Sequence, residues 1–442
     1  MPQLRRKQIL VNRKISVPST IGSLYNQLSV LYILRGNHAG HIISVRKGGR
    51  TVPPYHRIMN GDGKMNTNVR QDTLHIPFRY DFVGSFLRPR RLKQAREQFR
   101  AGSISAAELK QVEDEEIIKL IQKQKAAGYH VITDGEFRRN YWHLDFMWGF
   151  QGIDEIELDH GYFFHGEETT PESVELTGKI SGEDHPFVEH FRFVKQFEED
   201  SVISKQTIPA PAQLLAELFR EDNGVKTSAV YPDTDELIHD IAAAYRTVIL
   251  DLYHAGCRNL QLDDCTWGMF CDASYWNTRQ QDHVTLEEEA QKYLLINNLA
   301  LKDLPEDLAV ATHVCRGNYH STWASSGGYA PVAPYLFAEE KADTFYLEFD
   351  DERSGDFEPL QYVAEGKNVV LGLITTKSPE LEEKEKIIAR IHEAAEYVPL
   401  DHLYLSPQCG FASCEIGNKL TDEEQWAKLA LVKEIAGEVW GK

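Results

Sequence analysis

Ala255-Gly-Cys-Arg-Asn-Leu-Gln-Leu-Asp-Asp264 ends a helical stretch on glycine, runs through a short apolar strand and finishes on two acids. The same order occurs upstream in Ala127-Gly-Tyr-His-Val-Ile-Thr-Asp134. Glycine closes a helix in the left-handed conformation without steric cost. A strand that returns after a helical crossover runs parallel to the strand before it. Helix, glycine stop, strand and acid therefore form a repeated unit whose acids fall at one end of a parallel sheet.

Outward from these two units, β-rich runs are expected at Tyr80–Phe86, Tyr129–Glu136, Ile203–Pro209, Asn259–Asp264, Leu308–Cys315, Phe345–Asp350, Asn368–Thr375 and Leu403–Cys409. Amphipathic stretches at 91–127, 234–255, 284–302, 379–397 and 421–438 separate them, with cap signals at Ser378-Pro379 and Thr421-x-x-Glu424. Eight βα units close most naturally into a (β/α)8 TIM barrel, an α/β fold with its site at the carboxyl ends of the strands; an open doubly wound sheet is the alternative. Residues 141–200 break the alternation and read as an insertion after strand 2. Its aromatic residues Tyr141, Trp142, Phe146, Trp148 and Phe150 are either core or a lid over a planar ligand.

The chain has 442 residues, 42% of them hydrophobic, enough for one large barrel. Residues 1–64 carry eleven Lys and Arg against the single acid Asp62, a balance of +10, which leaves −29 for 65–442 out of a net −19. We therefore expect a basic, disordered extension over 1–70 and a single barrel over 71–442. The extension reads either as an organellar transit peptide or, preferably, as a segment upstream of a start at Met65. The acidic balance argues against nucleic acid as a partner, and no apolar run is long enough to span a membrane. Six cysteines in so long a chain imply reduced thiols and a cytoplasmic protein.

No G-x-x-x-x-G-K-[ST], no G-x-G-x-x-G after a strand and no G-x-S-x-G is present, which disfavours kinases, nicotinamide enzymes and serine hydrolases. Metal-ligating residue types do collect at strand ends. His313 and Cys315, two apart on one strand, share a face; Glu348 and Cys409 end neighbouring strands. One nitrogen, two sulfurs and one carboxylate suit tetrahedral Zn2+ better than Mg2+ or Ca2+. Each cysteine taken alone reads equally as a small buried apolar side chain.

Val83-Gly-Ser-Phe86, Asp134-Gly-Glu136, Asp263-Asp264, His313-Val-Cys315, Glu348 and Leu405-Ser-Pro-Gln-Cys-Gly-Phe-Ala-Ser413 together resemble the catalytic barrel of the cobalamin-independent methionine synthase family, especially its single-barrel relatives. The resemblance runs in order from about residue 78 to 440. It implies that His313, Cys315, Glu348 and Cys409 bind Zn2+, with Glu348 the ligand that moves as a thiol enters. It also implies that Gly84 and Ser85 hold the carboxylate of homocysteine, and that Glu136 and Asp263 hold its ammonium group. The implied reaction is methylation of homocysteine to methionine from 5-methyltetrahydrofolate or another methyl carrier, including a corrinoid carrier protein.

The sequence departs from that family where the methyl donor would sit. Lys377 stands where the family has a histidine that assists the departing pterin, the folate-stacking tryptophan is absent from Ala210–Glu217, and there is no amino-terminal barrel. Two other readings follow. One is a uroporphyrinogen-decarboxylase-like lyase using Arg88, Arg90, Arg138 and Arg139. The other is a zinc and homocysteine binding protein without catalysis.

Overall fold

A computed structural model describes residues 76–279 and 284–441; the extension expected over 1–70 lies outside them. Twelve strands occur among the described residues: β1 (Val131–Ile132), β2 (Gln151–Glu157), β3 (Phe163–Phe164), β4 (Glu167–Glu168), β5 (Glu172–Ser181), β6 (Ile203–Ser204), β7 (Gln206–Pro209), β8 (Asn259–Asp264), β9 (Ala309–Val314), β10 (Thr344–Glu348), β11 (Asn368–Ile374) and β12 (Leu403–Pro407). β7 to β12 form a parallel sheet in chain order, and β1 pairs in parallel with β6. Between β6 and β7 the Lys205 amide donates to Ile132 O at 2.9 Å, so the two sheets are continuous.

Closure falls to the segment before β1, and here the expected strand Tyr80–Phe86 is not regular. Tyr80 bridges Leu405 of β12, and Phe86 N donates to Gly135 O at 3.1 Å on the other side. Side chains occupy the ladder positions between. The Asp81 carboxylate accepts from Phe82 N at 2.7 Å, and the Lys205 ammonium donates to Phe82 O. The barrel is closed, with one wall held by side chains in place of strand pairing.

Long helices cover the barrel, starting largely where the cap signals lie. Asp422–Trp440 and Leu286–Ala300 open on capping boxes formed by Thr421 with Glu424 and Thr285 with Glu288. The stretch expected as one helix over 91–127 is two, Arg90–Arg100 and Ala106–Ala126, because Ser105 and Glu108 build a capping box after Gly102. The helix expected from Ser378-Pro379 begins only at Lys384; the Ser378 hydroxyl instead accepts from Glu380 N in a turn at 3.3 Å.

The insertion follows β1, as its composition indicates. β2 and β5 form an antiparallel ribbon, β3 and β4 a small hairpin, and the helix Phe187–Lys195 returns the chain to β6. Its aromatics divide: Phe146 and Phe150 are core, whereas Tyr141 and Trp142 line the cavity described below. No described helix is long and apolar enough to cross a membrane.

Inside the barrel, Lys205 and Asp81 form a fully buried ion pair at 3.1 Å, and the Tyr346 hydroxyl donates to the second Asp81 oxygen at 2.6 Å. Burial pushes the Lys205 ammonium below its ordinary pKa, and Asp81 opposes that shift. Asp81→Asn would leave the ammonium buried without its counter-charge. We expect a loss of about 3–5 kcal/mol in unfolding free energy, read from urea titration. An unchanged midpoint would mean that this pair carries no part of the barrel's stability.

Candidate metal centre and substrate cavity

β9, β10 and the turn after β12 deliver His313, Cys315, Glu348 and Cys409 to one point. All four are buried, and their ligand atoms lie within 4.8 Å of one another. The two sulfurs are 3.7 Å apart. Neither ring nitrogen of His313 has a hydrogen-bond partner. The Cys315 thiol is driven well above its ordinary pKa by its contact with Cys265 and by burial, and Cys409 by its contact with Cys315 and by burial. A cation would relieve each of these strains at once: it gives the imidazole a partner and displaces the thiol protons. The cluster can therefore hold a metal ion.

Glu348 is supported from behind. Arg316 N donates to one carboxylate oxygen at 2.8 Å and Arg353 Nη2 to the other at 3.2 Å, while Gly317 N donates to Cys315 Sγ at 3.3 Å. The backbone after β9 thus turns its amides toward the anionic ligands.

His313, Cys315 and Cys409 open on a cavity of about 830 Å3, a volume typical of small-molecule sites. Ser85, Glu136 and Asp263 line the same cavity. Glu136 sits in a turn with φ of +60°, a strained conformation for a non-glycine residue, after Gly135 at +67°. Arg139 holds it there: Nη1 donates to Glu136 Oε1 at 3.2 Å, and Nη2 donates to Thr207 Oγ1 at 2.9 Å. The other oxygen, Oε2, is buried with no partner. Burial raises the carboxyl groups of Glu136 and Asp263 to about 7 each. Ser85 is packed so closely that a Cβ on Gly410 would come within 1.9 Å of its hydroxyl.

Residues 80–438 match the family described as cobalamin-independent synthase, catalytic domain. The chain belongs to that family. It is a methyltransferase of the methionine synthase type. The uncharacterized Bacillus subtilis proteins YxjG and YxjH are each 44% identical to it, over 82% of this chain and 95% of their own length. The methionine synthase of Saccharolobus solfataricus is 25% identical over 74% of this chain and 86% of its own. A solved structure from Listeria monocytogenes, described as a candidate vitamin-B12-independent methionine synthase, is 39% identical with a TM-score of 0.65, over 83% of this chain and 99% of that one. A B12-independent methionine synthase from Shewanella sp. W3-18-1, solved with selenomethionine, shares the fold at 19% identity, TM-score 0.62, over 82% of this chain and 97% of that one.

Several side chains lie elsewhere than the sequence reading puts them. Lys377 is not among the residues lining the cavity, and its ammonium is buried without a hydrogen-bond partner. Arg88, Arg90, Arg138 and Arg139 do not line it either, which removes the tetrapyrrole reading. Arg88 donates to backbone carbonyls, Arg139 to the Thr207 and Trp142 carbonyls as well as to Glu136 and the Thr207 hydroxyl, Arg138 pairs with Glu113 at 3.1 Å and with Asp114, and Arg90 is exposed. Family membership sets aside the reading without catalysis.

Others were not visible in the sequence. His143, Tyr162, Phe164 and Phe219 line the cavity but belong to no motif. Cys265 and Cys414 also line it, the first directly after the Asp263-Asp264 strand end and the second directly after the 405–413 phrase.

With both carboxyl groups near 7, an ammonium ion binding between Glu136 and Asp263 has to expel protons, so affinity rises with pH from about 6 to 8. Calorimetry of methionine binding in buffers of different ionisation enthalpy should read that release at pH 7, and Glu136→Gln should reduce it. Binding without proton release would mean that neither carboxyl group titrates near neutrality.

Proposed function

We propose that the barrel, taken as residues 71–442, is a cytoplasmic zinc-dependent methyltransferase that methylates the thiol of homocysteine to give methionine. The donor is 5-methyltetrahydrofolate or another methyl carrier, free or on a corrinoid protein. The observation that carries this reading is that His313, Cys315 and Cys409 of the ligand cluster and the trio Ser85, Glu136 and Asp263 face one cavity. A nitrogen, two thiolates and a carboxylate form a donor set characteristic of zinc.

When bound, zinc would hold the substrate sulfur as thiolate at neutral pH, where a free alkyl thiol is mostly protonated. Everything else falls to the chain. The unpartnered Glu136 Oε2 and the Asp263 carboxylate receive the ammonium group. Ser85 Oγ accepts from Ala412 N at 3.4 Å, so its own proton remains for the substrate carboxylate. With both ends of the amino acid held, the thiol is delivered to the ligand cluster and can be aligned with the methyl carbon, and positioning of this kind supplies much of the rate. Arg316 N and Arg353 keep Glu348 satisfied if it yields its place to the incoming sulfur, so no buried charge is stranded.

Purified protein should contain about one zinc per chain. His313→Ala and Cys409→Ser should lose most of it, while Cys257→Ser, Cys271→Ser and Cys414→Ser should retain it. In the cobalt-substituted protein, homocysteine should change the visible spectrum at far lower concentration than 2-mercaptoethanol. Equal affinity for the two thiols would mean that Glu136 and Asp263 do not recognise an amino acid.

A further inference from the structure

We propose, on the reading that the acceptor is a thiol that joins the ligand cluster, that the Arg316 guanidinium is a positioning residue for that step: it takes up the Glu348 carboxylate when the acceptor sulfur displaces it from the metal. Four protein ligands fill a tetrahedral zinc, so a substrate sulfur takes a place in the shell when one of them yields. Glu348 is the one placed to do so. His313, Cys315 and Cys409 line the cavity whereas Glu348 does not, and both of its oxygens already have donors in Arg316 N and Arg353 Nη2.

Those donors satisfy the lone pairs of Glu348 but not its charge. Arg353 also meets Asp350 at 2.8 Å and Asp351 at 3.1 Å, so two other carboxylates draw on its single positive charge. A thiolate entering the cluster adds one negative charge, its proton leaving to solvent, and the freed carboxylate keeps its own. A buried anion without a counter-charge is costly.

Arg316 meets that demand. Its side chain is fully buried, and none of its guanidinium nitrogens makes a hydrogen bond. Of the other cations lining the cavity, Arg220 pairs with Glu217 at 3.4 Å and Glu221 at 3.6 Å, Lys292 pairs with Glu289, and Arg279 lies 3.9 Å from the same acid. Among the described residues, the Arg316 guanidinium forms no ion pair. Its immediate neighbours are uncharged: it lies over the Tyr329 ring at 4.4 Å and near Cys271, and burial pushes both that phenol and that thiol above their ordinary pKa. The pairing is also prepared by the backbone. Arg316 N donates to Glu348 Oε1 at 2.8 Å, and the Tyr329 hydroxyl donates to Glu348 O at 3.2 Å, so the root of the arginine and the ring under its head are both tied to Glu348. A planar guanidinium with free donors on one edge suits a carboxylate bidentately.

The test uses the full chain with cobalt in place of zinc. It compares homocysteine with methionine, which has the same amino-acid end but brings no thiolate charge. Arg316→Met should retain metal, because all four ligands remain. It should weaken homocysteine binding, read from the visible spectrum, by about tenfold or more, while methionine affinity by calorimetry changes by less than about twofold. Arg316→Lys, which restores the charge without the planar fork, should recover most of the loss. Arg316→Gln provides the same comparison should Arg316→Met not fold. In the zinc-loaded wild type, X-ray absorption should show one oxygen ligand replaced by sulfur when homocysteine is added. Equal losses for the two ligands, or no loss, would overturn the assignment, as would an oxygen ligand that stays; thiol binding at the metal would still stand. If homocysteine leaves the cobalt spectrum of the wild type unchanged, the thiol reading falls and this inference falls with it.

Discussion

Two sulfurs 3.7 Å apart, with an imidazole and a carboxylate within 4.8 Å, are an arrangement that a protein interior does not favour by itself. Burial penalises ionised thiols, and an imidazole without a partner forfeits hydrogen bonds it would make in water. The barrel tolerates the cluster because parallel strands converge at their carboxyl ends, and each ligand lies on or just beyond a strand that is buried almost throughout. Side chains from the ends of separate strands meet only if the barrel closes. A metal ion bound there would couple its affinity to barrel closure.

Closure is unusual in resting on side chains along one wall. Asp81, Lys205 and Tyr346 form a buried polar plug where strand pairing lapses. Higher up, Arg88 donates to Phe86 O at 2.9 Å and Ala412 O at 2.8 Å, tying the 80–86 segment to the turn that carries Cys409. Arg139 ties the Glu136 turn to Thr207 of β7. Planar guanidinium groups with several donors suit this task, since each can satisfy carbonyls from two or three segments at once. Four arginines that look in sequence like ligand-binding groups are instead spent on structure or on the surface.

The walls of the cavity differ in origin. Strand ends and the turns directly after them carry Ser85, Glu136, Asp263 and the ligand cluster, so these residues fall at predictable places. Insertion and loop segments build the rest: Phe164 comes from the hairpin β3–β4, Tyr162 from just before it and Phe219 from beyond β7. That hairpin is fastened to the loop after β9 by the hydrogen bond from His165 N to Trp323 O at 3.1 Å and by Glu167, which meets His320 and Lys419 at 3.0 Å each. Within one fold, the part of the cavity at the strand ends is set by the barrel, and the rest of its wall by what is inserted into it.

Read alone, the sequence determined the alternation of strand and helix, the barrel class and the position of the insertion, and it named four side chains that the structure brings to one point. Those features depend on periodicity and on which residue types end a strand, and both are local. The irregular 80–86 wall was not legible, because its amides and carbonyls are satisfied by Asp81 and by Lys205, a residue far away in sequence. Nor was the fate of the arginines, since a guanidinium bound to distant carbonyls has the same local sequence as one that faces a ligand. Tertiary structure alone decided that Lys377 lies outside the cavity lining and that Trp142 and Glu172 lie within it. Burial and pairing are properties of space, and no spacing along the chain encodes them until the barrel has closed.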